Sequence, residues 1–446
     1  VIVNSTTKSM KLNLFQQVMA LWEEVGPYNA GYVFQLRGCA CFEAMQEAVE
    51  ASCREASLGR LVLDDNEESY RYEPAESIRV DRIEGDGSAM QMVCDFLEKH
   101  MNEPFLSQPH HPIRWAILND TYTNSHFLVL VWRHLIADAT SIRLLVHRVL
   151  ARYYGAEEGC YEAPLRLDPF GCEEIMKRHY QRLGYLRTLI RSSRLYFRLR
   201  HVYRLPESRD RSEGSRVLLF DLPRDLLPRL IAACRRRKVT INDAFLAALG
   251  LAMARMTPSR QAQHRRRSLA LATAVDLRQA AVGKLSNCFG LFVSYWVTLL
   301  DEPDIRDFEG MLSEVARQTQ LEKSEKRFAG PAWDFLTLLL LRRWLGVNED
   351  RSWYRKVYPL SAGLSNVRMS SSEFPGGDEK ILACFLVPPT GPALPLVVSP
   401  ATLGDRLRLS AVYRVASLSE SQVQTLINIF LGKLEDFAEG ARAEKC

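Results

Sequence analysis

The chain has 446 residues, 47% of them hydrophobic and 25% charged, with a net charge of +5. That balance excludes a disordered or fibrous chain, and the length calls for two or three folding units. So mild a charge gives no reason to expect a nucleic-acid partner, and ten scattered cysteines without a C-x-x-C pair match neither a zinc knuckle nor a disulfide framework.

Free thiols in a reducing setting are the simpler expectation. The opening "VIVNSTTKSMKLNLFQQ" lacks the apolar region of a secretory signal, so a cytoplasmic location is expected. Residues 10–25 have helical spacing, "AGYVFQLRG" alternates as a strand, and 42–56 is again helical, with Phe42, Met45, Ala48 and Val49 on one side. "GRLVLDD" and "YRYEPA" follow as strands. "AMQMVCDFLEKHMNEPF" is a helix that stops near Pro104. "IRWAILND" and "HFLVLVWRH" form a strand pair around the turn "DTYTNS", and "ATSIRLLVHRVLARYYG" is a helix ended by Gly155.

A Gly- and Pro-rich link, "GAEEGCYEAPLRLDPFGC", marks the first boundary. Residues 175–204 then carry nine Lys or Arg and no acidic residue. Arg187, Arg191, Arg194 and Arg198 recur at helical steps, beside an apolar stripe of Leu183, Leu186, Ile190 and Phe197. Two readings stand: a bridging helix with a solvated basic face, or a docking surface for an acidic carrier protein, a nucleotide or a lipid surface.

The second block opens near Arg216 with the strand "RVLLFDLP". Helices "PRDLLPRLIAACRRRKV" and "TINDAFLAALGLAMARM" follow, the latter capped by Thr240 or Asn242. "RRSLALATAVDLR" and "NCFGLFVSYWVTLL" read as strands, and "RDFEGMLSEVARQTQLEKS" as a helix. "FLTLLLLRRWLGV" (335–347) is too short to span a bilayer and reads as a buried helix. The strands "YPLSAGLSNVRM", "KILACFLVPP", "LPLVVSPATLG" and "RLRLSAVYR" precede a last helix, "SESQVQTLINIFLGKLEDFAEG". The fold class is α/β, divided as 1–172, a basic linker helix over 173–215, and 216–446. Two α/β halves suggest a ligand site in the cleft between them.

No nicotinamide or P-loop fingerprint, HExxH or GxSxG occurs. The stretch "LVWRHLIADATS" (130–141) remains. A β-type run delivers His134 to a strand end, a turn follows, and a helix begins at Thr140 or Ser141. Strand ends beside clefts commonly present catalytic groups. With nine histidines, one accidental HxxxD match is expected about half the time, so spacing alone is a weak signal. His147 reads as a core or surface helix residue, and His110 and His111 as loop residues.

Together with four further segments, this stretch resembles the condensation-domain and acyl-CoA-dependent acyltransferase superfamily. "RHLIADATS" is similar to its HHxxxDG motif. "VTINDAFLAALGLAM" resembles its T-x-N-D helix, "TAVDLRQ" its P-V-D-L-R strand, "LSNCFGLFVSYW" its G-N-x-x-G segment and "GLSNVRM" its late S-N-V strand. Order and spacing match from about residue 10 to about 436. Three positions depart from the pattern: Arg133 replaces the first histidine, Ala139 the glycine, and Ala274 the proline before Val275. Arg133 points away from the peptide-forming branch, where the doubled histidine is the rule.

The resemblance implies two chloramphenicol-acetyltransferase-like lobes forming a pseudo-dimer, with the active site in a channel between them. It implies His134 as general base and Asp138 paired to Arg278, in a bidentate ion pair that fixes the His134 loop. Asn287, Gly290, Ser365 and Asn366 would line the channel. An acyl group would pass from a CoA or phosphopantetheinyl carrier-protein thioester to an alcohol or amine, with no bound cofactor and no metal. The alternatives are a stand-alone amide-forming condensation enzyme of nonribosomal peptide synthesis and a non-catalytic condensation-like scaffold. Peripheral membrane contact is one expectation for the basic stripe.

Overall fold

The computed structural model describes residues 9–64, 68–75, 77–84, 88–105, 109–120, 122–155, 165–168, 175, 185–208, 214–280, 285, 287–325, 331, 340 and 351–443. The chain forms two compact units. The first comprises Val1–Arg178, Asp276–Val293 and Met369–Leu386, and the second His179–Val275, Ser294–Arg368 and Val387–Cys446. A division into the contiguous stretches 1–172, 173–215 and 216–446 therefore does not describe it, because two later segments return to the first unit. Most of the expected link over 155–172, and Leu183 of the apolar stripe, lie outside the described residues. So does the run 335–347 apart from Leu340, which is helical and 58% exposed.

The chain opens with β1 (Met10–Lys11), α1 (Leu14–Val25), β2 (Asn29–Arg37), α2 (Phe42–Glu55), β3 (Arg60–Leu63), β4 (Ser69–Glu73) and β5 (Val80–Arg82). Then come α3 (Ala89–Asn102), β6 (Ile113–Asp120), β7 (Ser125–Arg133), α4 (Ala139–Tyr153), β8 (Arg166–Leu167), α5 (Tyr185–Leu199) and β9 (Ser215–Asp221). They are followed by α6 (Leu226–Arg237), α7 (Ile241–Met256), β10 (Leu269–Asp276), β11 (Cys288–Phe289), β12 (Val293–Leu300), α8 (Phe308–Ser324) and α9 (Arg351–Val357). Last are β13 (Ala362–Leu364), β14 (Val367–Met369), α10 (Gly377–Lys380), β15 (Ile381–Val387), β16 (Leu396–Leu403), β17 (Arg406–Arg414) and α11 (Glu420–Ala443).

The first unit is built on a sheet in the order β15-β2-β7-β6-β5. β7 is buried at every residue, which is why "SHFLVLVWR" is apolar on both faces instead of alternating. β2 and β7 pair antiparallel from Asn29–Arg133 to Arg37–Ser125. That register brings residue 28, just before β2, beside residue 134, just after β7. α3 packs against β2, β6 and β7, and α2 packs on α4. The buried Asn29 amide donates to the carbonyls of His100 and Glu103, tying the C-terminal end of α3 to the strand end.

The second unit is built on a sheet in the order β12-β10-β13-β16-β17-β9, with β14 paired to β16. β10, β13 and β16 run parallel, and β16, β17 and β9 antiparallel. Its central helix is α7. Residues Asp243–Ala254 are all buried, and Thr240 and Asp243 close a capping box at its start. α7 packs against α6, α8 and α11. No single described helix is long and apolar enough to cross a membrane.

Candidate active site

At the C-terminal end of β7 the chain leaves the sheet at Arg133 and re-enters regular structure at Ala139. The intervening turn is held almost atom by atom. The N–H of His134 donates to the Tyr28 carbonyl at 3.2 Å, and that of Ile136 to the Arg133 carbonyl at 3.1 Å. The buried Gln16 amide donates to the Leu135 carbonyl at 3.0 Å, and Trp132 Nε1 to the Ala137 carbonyl at 2.9 Å. The Asp138 N–H donates to the Gly290 carbonyl at 3.2 Å. A turn whose polar groups are this fully engaged is pre-organised.

Asp138 is the N-cap of α4: its Oδ1 accepts from the Ser141 N–H at 2.8 Å. Its Oδ2 accepts from Arg278 Nη1 at 2.9 Å and from the Phe292 N–H at 2.7 Å. The ion pair expected between Asp138 and Arg278 is thus present, but through one nitrogen rather than two. The other terminal nitrogen of Arg278 donates to Ser141 Oγ at 2.6 Å. Ser141 Oγ in turn donates to the Gly290 carbonyl at 2.7 Å and accepts from the Gly290 N–H at 3.0 Å. Asp276 closes the cluster, accepting from Arg278 at 3.2 Å and from the Thr140 hydroxyl at 3.0 Å. Burial works against the Arg278 charge. The Asp138 and Asp276 carboxylates more than offset it and carry the guanidinium above its ordinary range. The guanidinium also lies over the Phe292 ring, 4.2 Å from its centroid.

His134 lies on this turn, partly buried. Its imidazole stacks on Tyr28, with centroids 5.5 Å apart and 16° between the planes, and Nδ1 is its buried nitrogen. Burial holds its pKa below the ordinary 6.5. Backbone carbonyls and Asp138 act in the opposite direction but do not overcome it, so the ring is neutral at pH 7.

Arg133 is directed away from this chemistry. Its Nε contacts both carboxylate oxygens of Glu23 at 3.1 and 3.0 Å, and its Nη2 lies 2.5 Å from one of them. Arg133 is buried and Glu23 partly buried, and the pair clamps α1 to the end of β7. Arg133 is therefore a staple between these two elements.

Of the other expected site residues, Gly290 is a point of close approach. A Cβ there would lie 2.5 Å from the Asp168 carbonyl oxygen. Asn287 is a half-buried turn residue whose carbonyl accepts from the Arg166 N–H at 3.0 Å. Ser365 and Asn366 belong to the second unit, between β13 and β14. There the Ser365 N–H donates to the Val398 carbonyl, and its carbonyl accepts from Ser399 Oγ. His147 lies in α4 with its ring 6.1 Å from that of Phe374, and the His111 ring bonds the Ile113 carbonyl. Among the described residues no three His, Cys, Asp or Glu side chains stand close enough to hold a metal ion.

The four arginines of the stripe differ in their partners. Arg191 donates to both oxygens of Glu322 at 3.1 and 2.9 Å and Arg198 to Asp301 at 2.5 Å, and Arg187, Arg194 and Arg198 are all exposed. Sequence reading missed Tyr28, Ser141, Asp276 and Glu23. For Ser141 a signal existed: Asp-x-x-Ser at a helix start is an N-cap pattern. Tyr28 and Glu23 carry none, because strand register brings them into place.

A Condensation domain family model matches residues 11–328, and the chain belongs to that family. Its fold is the two-unit α/β fold of solved condensation domains, with chloramphenicol-acetyltransferase-like halves. The first condensation domain of the CDA synthetase has a TM-score of 0.71 at 14% identity, covering 98% of this chain and 97% of that one. The epimerization domain from the third module of tyrocidine synthetase B has a TM-score of 0.66 at 14% identity, covering 99% and 98%. The X-domain solved in complex with OxyB from teicoplanin biosynthesis has a TM-score of 0.61 at 14% identity, covering 98% and 95%. No curated protein sequence matches the chain. Identities this low show the fold alone, and a condensation, an epimerization and an X-domain share it, so the reaction must be argued from the site.

Proposed function

We propose that this protein is an acyltransferase that moves an acyl group from a CoA or carrier-protein thioester to an alcohol or amine, with His134 as general base. The observation that carries this reading is a partly buried imidazole, its pKa held down by burial, on a turn locked by the Asp138–Ser141–Arg278 cluster. Because Nδ1 is buried, Nε2 is the nitrogen assigned to the acceptor. It takes the O–H or N–H proton as the acceptor oxygen or nitrogen bonds to the thioester carbonyl carbon. The tetrahedral intermediate collapses with cleavage of the C–S bond. The imidazolium returns the proton to the thiolate, leaving an ester or amide and a free thiol. Such a base contributes about a hundred- to ten-thousand-fold in rate.

Asp138 and Arg278 serve as positioning residues in this scheme, and CoA or phosphopantetheine is a co-substrate rather than a resident group. The lone histidine of the motif favours a free alcohol or amine acceptor over two carrier-bound peptidyl partners. The test is thiol release from a panel of acyl thioesters, with and without added alcohols and amines. Acceptor-dependent release that falls at least about a hundredfold in His134→Ala supports the reading. Full turnover in that variant removes His134 as the base, and no acceptor-dependent release by the unaltered protein leaves the scaffold alternative.

A further inference from the structure

The described residues expose six large hydrophobic side chains, and four of them lie on α5: Leu186 at 69%, Ile190 at 45%, Tyr196 at 44% and Phe197 at 59%. At 3.6 residues per turn, Leu186, Ile190 and Phe197 fall on one narrow stripe of the helix. Leu195 and Leu199 sit on the opposite side, packed with Val202, Ala270 and Leu299, so α5 is already seated on its own unit. Arg191 and Arg198 reinforce that seating through Glu322 and Asp301. Among the described residues the stripe faces away from the side of the helix packed on its own unit.

Arg187 and Arg194, one heptad apart, flank the stripe and remain exposed. Residues 175–204 contain nine Lys or Arg and no acid. An exposed apolar stripe of this size marks an interaction surface. The stripe runs along the helix axis with cationic side chains at its edge and a tyrosine at its other flank. This is the layout of a helix lying in a bilayer interface, where arginines reach the headgroups and apolar side chains enter the acyl boundary. The charge requires the lipid to be anionic.

We propose that α5 docks the protein on an anionic membrane surface, with Leu186, Ile190 and Phe197 inserted and Arg187 and Arg194 on lipid phosphates. This stands independently of the chemistry at His134.

The test is co-sedimentation of the full chain with phosphatidylcholine vesicles, with and without phosphatidylglycerol. The chain should pellet with the anionic vesicles and release as salt rises. Ile190→Ser with Phe197→Ser should lower the partition by about a hundredfold. Arg187→Glu with Arg194→Glu should lower it about tenfold or more. An unchanged thermal midpoint confirms that each variant is folded, and if the serine variant is not, the arginine variant decides. Failure of the wild-type chain to bind anionic vesicles overturns the proposal, as does undiminished binding by a folded variant. Retention by an acidic carrier protein, or dimerisation through the stripe, without vesicle binding also overturns it and reassigns the face to that partner.

Discussion

Arg278 reaches Asp138 across 140 residues of sequence, its Nη1 lying 2.9 Å from the carboxylate, with both side chains less than a tenth exposed. The pair joins α4 to the segment before β11, and the same carboxylate caps α4 and receives the Phe292 N–H. Removing one partner strands a buried charge and its donors. Arg278→Ala is therefore expected to destabilise the fold by about 3–5 kcal/mol, read from urea denaturation. Arg278→Lys keeps the charge but cannot serve Asp138, Asp276 and Ser141 together, so it should recover only part of the loss. Full stability in Arg278→Ala would show that the cluster does not hold the turn.

Placing at position 133 the first histidine of the motif that the sequence resembles should harm this protein. The Arg133 guanidinium is buried and spans to Glu23 on α1, a reach that an imidazole lacks. Arg133→His is expected to cost about 3 kcal/mol, near the low end for a buried pair because Glu23 is 16% exposed. The cost should shrink when Glu23→Gln is made in the same chain. A double-mutant cycle checks this, and purely additive effects would deny the coupling.

The motif core was legible in the sequence: a strand, His134, a turn, Asp138 and a helix, with Arg278 named through the resemblance. What stayed hidden is long-range. Nothing in the pattern "KILACFLV" states that β15 joins the sheet of β2, because alternation marks a strand but not its partner. The run "NCFGLFVSYWVTLL" reads as one strand yet breaks into β11 and β12. The reason is local chemistry: the N–H groups of Gly290 and Phe292 are taken by Ser141 and Asp138, so they are withdrawn from any ladder. On α5 the basic and apolar stripes were legible, but not which of them faces solvent: Leu186 and Phe197 are among the most exposed large hydrophobic side chains.

Acid should weaken both stability and activity by one cause. Burial holds His100, His111, His126, His134 and His147 below the ordinary value of 6.5. In the unfolded chain they protonate near that value, so falling pH favours unfolding. The stabilising contribution is complete above pH 6.5 and is lost as pH falls through the depressed folded values. The thermal midpoint should be flat near neutrality and decline below about 6.5, before the carboxylates titrate. The acid limb of kcat/KM should likewise lie below 6.5, since only neutral His134 is a base. A limb above 6.5 would mean that burial does not govern this ring.

Tyr28 offers the sharpest distinction between packing and chemistry around His134. Its carbonyl accepts the His134 N–H, and its ring stacks on the imidazole while Trp22 meets its edge at 5.1 Å. Burial pushes the phenol far upward, so the side chain stays uncharged at any working pH and contributes a flat surface. Tyr28→Phe keeps that surface and should leave kcat/KM and its acid limb nearly unchanged. Tyr28→Leu keeps the backbone bond but loses the stack, a contact worth about 0.5–1.5 kcal/mol, so kcat/KM should drop about two- to tenfold. Water then reaches the ring more easily, desolvation weakens, and the acid limb should move up toward 6.5. Were Tyr28→Phe as damaged as Tyr28→Leu, the hydroxyl rather than the stacked ring would be the group that matters at this position.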